Sequence, residues 1–144
     1  NTGRPGGKSK FTSKYLDAPL EPLYPFGYGL SYTTYAYTGR KVEKREDGIH
    51  VFVSVTNTGG RDGDEIVQCY VQQMTGRRVR PVRQLKDFAK ISLKAGETKT
   101  VTFVVPFAGL SYYDWEMKEM PAEGILRIYA GGDSQAELVG QVVL

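Results

Sequence analysis

The sequence predicts an all-β fold, a seven-stranded sandwich that carries an extended N-terminal arm. Apolar and polar residues alternate at a period of two along several short segments, as they do in half-buried strands. Turn-forming residues separate these segments at short intervals, as in β-sandwiches. The 144 residues fit one domain, and 40% hydrophobic with 24% charged residues is ordinary for a soluble globular chain.

The first 31 residues differ in composition from the rest of the chain. Prolines alternate there with glycines, and neither residue favours a regular element. We therefore expect an extended arm over residues 1–31 and the sandwich over residues 32–144. The end of the arm should be pinned against a surface, of this domain or of a neighbour, because it is too apolar to remain in water. Its large apolar side chains are Leu23, Tyr24, Phe26, Tyr28, Leu30 and Tyr32.

Seven strands follow the arm in the predicted order. The clearest begins at Ile49, where Val51, Val53 and Val55 alternate with more polar positions that include His50. Turn residues at 57–60 and 94–97 separate neighbouring strands. The predicted strands are Tyr32–Thr38, Ile49–Val55, Ile66–Gln72, Phe88–Leu93, Thr98–Val105, Gly124–Gly131 and Leu138–Leu144.

The sequence lacks the side chains that nucleophilic catalysis combines. A serine or cysteine nucleophile needs a base and a third group that orients the base. The only histidine, His50, lies in mid-strand on the face opposite the valines, so we interpret it as a surface or edge residue. The single cysteine, Cys69, excludes an internal disulfide and a cysteine-based metal cluster.

The charged clusters also have ordinary interpretations. Asp62, Asp64 and Glu65 lack the spacing of a calcium loop, and we expect them to be solvated turn charges rather than a metal site. A basic run has no interleaved aromatic platform, and a net charge of +3 is mild, so we expect no nucleic-acid partner. Lysines and arginines on an edge strand would instead prevent edge-to-edge aggregation. This run comprises Arg77, Arg78, Arg80, Arg83, Lys86 and Lys90.

No apolar stretch reaches the length of a membrane-spanning helix, so we expect no membrane partner, and no cofactor is indicated. The cellular compartment stays open. A larger protein could be secreted, periplasmic or cytoplasmic with this cysteine content. The chain begins with Asn1 rather than methionine, which is expected of a segment from within a longer protein.

The aromatic side chains near the arm are the most unusual feature, and they allow three hypotheses. We favour a domain interface formed by Tyr24, Phe26, Tyr28 and Tyr32, because aromatic residues bury large areas at interfaces. The alternative is a carbohydrate-binding or substrate-anchoring module that binds polysaccharide, with Tyr15 and Tyr28 stacking against sugar rings. A protein-interaction module is a third hypothesis, which depends on fold analogy alone.

The order of several motifs resembles one known family. The string Pro25-Phe26-Gly27-Tyr28-Gly29-Leu30-Ser31-Tyr32 is similar to the opening of the C-terminal fibronectin type III-like domain of family 3 glycoside hydrolases. Matches continue along nearly the whole chain at Val55–Gly59, Gly63–Gln68, Tyr70-Val71, Arg80-Pro81, Leu93–Thr98, Leu110–Asp114 and Tyr129–Gly131. Ala95 and Tyr28 replace residues that are more frequent in the family, proline and histidine.

The resemblance implies that the seven-stranded sandwich is immunoglobulin or fibronectin type III-like. It also implies a parent enzyme of the β-glucosidase or β-xylosidase type. Such enzymes are retaining and use an aspartate nucleophile and a glutamate acid/base, both of which lie upstream of anything that matches Asn1. The family therefore implies no catalytic residue in this chain, with the upstream catalytic domains as partners. Asn1–Pro5 looks like the exit from an upstream α/β sandwich domain. Asp114-Trp115 echoes the family's nucleophile motif, but its context differs, and we interpret Asp114 as a turn residue and Trp115 as a packing residue.

Overall fold

The computed structural model describes residues 22–74 and 81–144. These two stretches contain nine strands and one short 3-10 helix, Phe107–Leu110. Seven strands are long and correspond to the seven predicted segments, whereas β6 and β7 form a small additional ladder. The strands are β1 Tyr35–Lys44, β2 Ile49–Asn57, β3 Gly63–Gln73, β4 Gln84–Leu93, β5 Thr98–Val105, β6 Tyr112–Tyr113, β7 Glu119–Met120, β8 Ile125–Gly131 and β9 Leu138–Val143.

Two antiparallel sheets form the predicted sandwich. One sheet has the order β1-β2-β5, and the other has the order β4-β3-β8-β9. Strand β2 carries the clearest alternation, and it lies in the middle of its sheet. The sheet order and the matching segments confirm the predicted all-β sandwich class.

The first strand differs from its predicted bounds. It begins at Tyr35 rather than Tyr32 and continues past Thr38 to Lys44. Gly39, at a positive φ of 57°, lies where the register between β1 and β2 shifts, so the pairing resumes at Lys41. The strand therefore continues through a bulge instead of ending at Thr38.

The core lies between the sheets and comes from inward positions of both. Ile49, Val51, Val53 and Val55 of β2 are fully buried, as the alternation predicts. They pack in one cluster with inward residues of the other sheet, which include Val67, Cys69, Val71, Leu126, Ile128 and Ala130. Burial of these side chains supplies most of the favourable free energy of folding.

Asn57 connects three segments at one end of the sandwich. Its side chain is completely buried, and its Nδ2 donates to the carbonyl oxygens of Arg61 (2.7 Å) and Leu93 (3.1 Å). Its Oδ1 accepts hydrogen bonds from Thr33 Oγ1 (2.6 Å) and from the Gly59 amide (3.1 Å). The asparagine therefore fixes the β2–β3 turn, the end of β4 and the segment before β1 together.

The arm and the β6–β7 hairpin lie at opposite ends of the sandwich. The arm leads into β1 at the end that holds Asn57, whereas the hairpin belongs to the connection from β5 to β8 at the other end. Asp114 forms a turn there, as predicted, and its Oδ1 accepts from the amides of Glu116 and Lys118. The interpretation of Trp115 as a packing residue is wrong within this chain, because the side chain extends from the hairpin tip and is 78% exposed.

His50 occupies the outward face of β2, as the alternation predicts. Its strand, however, is the middle one of its sheet, so the edge position suggested for it is wrong. The ring lies 2.8 Å from Asp47 Oδ1, and little of its side chain is exposed. Within the described ranges, no helix has the length and hydrophobicity that crossing a bilayer requires.

Replacing Asn57 with alanine is expected to destabilise the chain by about 2–4 kcal/mol. The change removes four hydrogen bonds and leaves buried backbone groups without partners, and each orphaned group costs about 1–3 kcal/mol. Urea unfolding of both proteins measures the difference. The exposed neighbour Thr58→Ala is the control, and equal loss in both variants would contradict this role for Asn57.

Cys69 makes stability depend on pH in the alkaline range. Burial, aided by the nearby Asp87 carboxylate, raises the pKa of the Cys69 thiol to about 12. A folded pKa above the unfolded value contributes stability that is complete below about pH 9 and is lost as the pH rises towards 12. We expect wild type to lose about 2–3 kcal/mol more than Cys69→Ala between pH 8 and 11. Parallel profiles of unfolding free energy for the two proteins would contradict this assignment.

Candidate docking site on the N-terminal arm

The backbone of the arm folds into a tight turn beside the four-stranded sheet. The Tyr28 amide donates to the Pro25 carbonyl oxygen at 3.1 Å. Gly27, inside this turn, has a φ of 82°, a left-handed conformation that glycine adopts without a steric penalty. The turn brings the carbonyl groups of Phe26 and Gly27 against the outer face of the sheet.

A buried glutamine of β3 holds this turn. Gln68 Nε2 donates to the Gly27 carbonyl oxygen at 3.0 Å and also to the Gly132 carbonyl oxygen. Gln68 Oε1 accepts from the hydroxyl of Tyr70, which is itself buried. We call this set of contacts between Gly27, Gln68, Tyr70 and Gly132 the arm latch. A buried amide with both ends satisfied fixes the arm at one position on the sheet.

The β8–β9 loop adds a second attachment. The Ser134 amide donates to the Phe26 carbonyl oxygen at 2.8 Å. Arg83 holds the loop in turn, because its guanidinium donates to the carbonyl oxygens of Ser134 (2.6 Å) and Ala136 (2.8 Å). The same guanidinium stacks 3.8 Å from the ring centre of Tyr129. This cation–π contact fixes the loop that binds the arm.

The aromatic side chains between residues 22 and 32 are exposed, although the backbone beside them is attached to the sandwich. Phe26 is 67% exposed and Tyr32 is 94% exposed, although their chain is fastened to the sheet next to them. Tyr24 and Tyr28 contact one another with ring centroids 5.1 Å apart and tilted by 34°, and both remain substantially exposed. The four predicted interface residues thus lie on one attached segment with free side chains. Tyr15, the other predicted sugar contact, lies outside the described residues.

The acidic residues do not form a common site. Asp62 accepts from the Ala95 amide at 2.9 Å, and Asp64 accepts from Ser92 Oγ and pairs with Lys90 at 2.8 Å. The Lys90 ammonium is the main cause of the lowered pKa of Asp64. Within residues 22–74 and 81–144, no three histidine, cysteine or acidic side chains are grouped to hold a metal ion.

Asp64 lies in β3 rather than in a turn, and Glu65 is neither a turn charge nor fully solvated. Glu65 lies in β3, is half-buried and accepts a hydrogen bond from the Tyr37 hydroxyl at 2.7 Å. Burial raises the pKa of the Glu65 carboxyl, and burial together with this carboxylate raises the pKa of Tyr37. The pair connects the two sheets through β1 and β3, which is a structural role.

The described part of the basic run is used within the domain. Arg83 holds the β8–β9 loop, Lys86 Nζ donates to the Gly109 carbonyl oxygen at 2.6 Å, and Lys90 pairs with Asp64. These side chains therefore do not form a continuous free cationic face. Arg77, Arg78 and Arg80 lie outside the described residues.

The arm latch could not be recognised from the sequence alone. Gln68 occupies an outward position of β3, where a polar residue is expected to face water, and its burial depends on the arm that covers it. A signal was present, because the motif that ends at Gln68 and the string that contains Gly27 both belong to the family resemblance. Spacing alone, however, gives no reason to pair residues that are 41 positions apart.

Comparison with known proteins agrees with this architecture. Residues 65–134 match the family model of the fibronectin type III-like domain. The periplasmic β-glucosidase of Salmonella typhimurium is 43% identical over 141 residues, which are 93% of this chain and 18% of that protein. A β-xylosidase of Formosa agariphila is 39% identical over 86% of this chain and 18% of its own length.

A solved structure gives the same result. The β-glucosidase of Listeria innocua in complex with gluconolactone is 35% identical, with a TM-score of 0.86 over 99% of this chain and 21% of that one. The chain thus belongs to the fibronectin type III-like domains. More narrowly, it is a domain of the type found in family 3 glycoside hydrolases, and it spans about a fifth of the length of the relatives that it matches.

Replacing Gly27 with alanine is expected to open the arm latch without unfolding the sandwich. A Cβ at this position would lie 2.1 Å from Gln68 Oε1 and 2.8 Å from the Tyr70 hydroxyl, and the positive φ adds strain. Amide hydrogen exchange should become at least about 10-fold faster at Ser134, which corresponds to about 1.4 kcal/mol, while Val53 in the core keeps its protection.

The matched control is Gly29→Ala. A Cβ at Gly29 meets no atom within 4 Å, and this glycine is not among those with a positive φ. Its exchange rates should equal those of wild type. If Gly27→Ala also left the exchange at Ser134 unchanged, the arm would not depend on the latch.

Proposed function

We propose that this chain is a non-catalytic structural domain that braces the catalytic domains of a retaining family 3 glycoside hydrolase. The observation that carries the proposal is the arm, whose backbone is fastened to the sandwich while its aromatic side chains stay exposed. A chain normally attaches through its apolar side chains and leaves polar groups in water. Here the backbone makes the attachment and the apolar side chains are exposed. This arrangement is typical of a segment whose side chains pack against another domain.

The relatives support an enzyme as that body. The chain corresponds to 18% of a β-glucosidase and 18% of a β-xylosidase, so most of each relative lies outside the matched segment. By analogy, the parent of this chain would remove terminal β-linked glucose or xylose. The acid/base and nucleophile carboxylates would come from its other domains, which would be the partners of the arm.

Docking of the arm on another domain would contribute a large favourable free energy. Burying an aromatic side chain removes a large apolar area from water at about 25 cal/mol per Å², and an interface concentrates its free energy in a few such residues. The latch fixes the arm before docking, so less conformational entropy is lost when the side chains are covered. A fastened arm therefore suits a permanent contact between domains of one polypeptide.

Residues 22–31, the described part of the arm, add no support for polysaccharide binding. Tyr24 and Tyr28 turn ring surface towards each other at a tilt of 34°, which reduces the flat area that a sugar ring could cover. The interface remains the function that this geometry supports best.

Phe26→Ala provides the test, with two different expected outcomes. In the present chain it should change the unfolding free energy by less than about 0.5 kcal/mol, because the side chain is mostly exposed. In the full-length polypeptide it should cost about 3–5 kcal/mol if the side chain is buried by the catalytic domains. Thermal unfolding of both proteins measures this, and an unchanged melting temperature in the full-length polypeptide would contradict the brace.

A further inference from the structure

Several large apolar side chains of the four-stranded sheet are exposed, and two of them lie on β3 and β4. Ile66 of β3 is 48% exposed and Phe88 of β4 is 62% exposed. Both lie within strands, not in loops, and their neighbours Val67 and Ala89 face the core. Since successive side chains of a strand point to opposite faces, Ile66 and Phe88 share the outer face of this sheet.

The strand register places both residues next to the arm latch. Phe88 is paired directly with Gln68, and Ile66 precedes Gln68 by two positions on the same face. Gln68 in turn binds the Gly27 carbonyl oxygen, so the arm is attached at a residue that neighbours both side chains. The exposed apolar surface of the arm therefore continues onto β3 and β4.

The exposure of Ile66 and Phe88 in an isolated domain would favour aggregation. Strand β4 is at the edge of its sheet, where an apolar side chain in mid-strand favours pairing with other chains. One charged pair, Lys90 with Asp64, lies beside Ile66 on the same face, and it borders the apolar area without covering it. Charged groups at the border of an apolar area are typical of a protein interface.

We propose that Ile66 and Phe88 form the sheet half of the docking surface and are covered by the catalytic domains of the same polypeptide. This inference rests on the proposed function and names the residues of the interface beyond the arm. The occupant follows from continuity, because one body that covers Phe26 beside the latch also reaches the adjoining sheet positions. The relatives, in which the matched segment is about a fifth of the length, provide a body of sufficient size.

Hydroxyl-radical footprinting with mass spectrometry tests the proposal directly. Phe88 and Ile66 should be oxidised in the present chain and protected at least about fivefold in the full-length polypeptide, as expected for side chains that become buried. Tyr113, on the hairpin at the opposite end, is the reference for side-chain labelling in both proteins.

The footprint separates this inference from the proposed function. Protection of Phe26 and Tyr24 with full labelling of Phe88 and Ile66 would overturn the sheet half of the surface and leave the brace intact. Protection of none of the four would overturn both. Protection of Phe88 and Ile66 with labelled arm residues would support the sheet surface and contradict the role of the arm.

Matched substitutions give an energetic test. Ile66→Ala should lower the melting temperature of the full-length polypeptide by at least about 2 °C and leave that of the present chain within about 1 °C. Val104→Ala is the control, because Val104 is a similarly exposed β-branched residue on the outer face of the other sheet. Equal shifts for the two variants in the full-length polypeptide would overturn the proposal.

Discussion

The hydrogen bond from Gln68 to the Gly27 carbonyl oxygen is the constraint on which the arrangement of the docking surface depends. It converts a proline- and glycine-rich segment into a fixed part of the sheet surface. The Gln68 side chain is buried. A buried amide without hydrogen-bond partners would destabilise the fold by several kcal/mol, so the bond to the arm is strongly favoured. The Ser134 amide holds the same turn at the Phe26 carbonyl oxygen, and the Arg83 guanidinium holds the loop that contains Ser134.

This arrangement assigns different tasks to backbone and side chains within a few residues. The carbonyl groups of Phe26 and Gly27 satisfy donors of the sandwich, while the rings on either side stay available. A second, small apolar cluster lies on the outer face of the four-stranded sheet and includes Ala136 of the β8–β9 loop. Its other members are Tyr70, Tyr129 and Leu85. The sandwich core itself lies on the other side of the sheet and contains no side chain from residues 22–31, the described part of the arm.

Much of the fold could be predicted from the sequence, because strand alternation is a local signal. The valines of β2 identify both the strand and its buried face, and the aromatic arm residues are recognisable by composition. The bulge at Gly39, the latch and the small β6–β7 ladder could not be predicted in this way. Each depends on which distant segments meet, as with Gln68 and Gly27, and a turn residue such as Gly39 can interrupt a strand or only bend it.

The exposed hairpin has a consequence for spectroscopy. Trp115 is the only tryptophan of the chain and is already in contact with solvent in the folded state. Its fluorescence should therefore resemble that of free indole before and after denaturation, and it would follow the environment of the hairpin rather than the loss of the core. Circular dichroism or tyrosine emission is the appropriate optical signal for this sandwich.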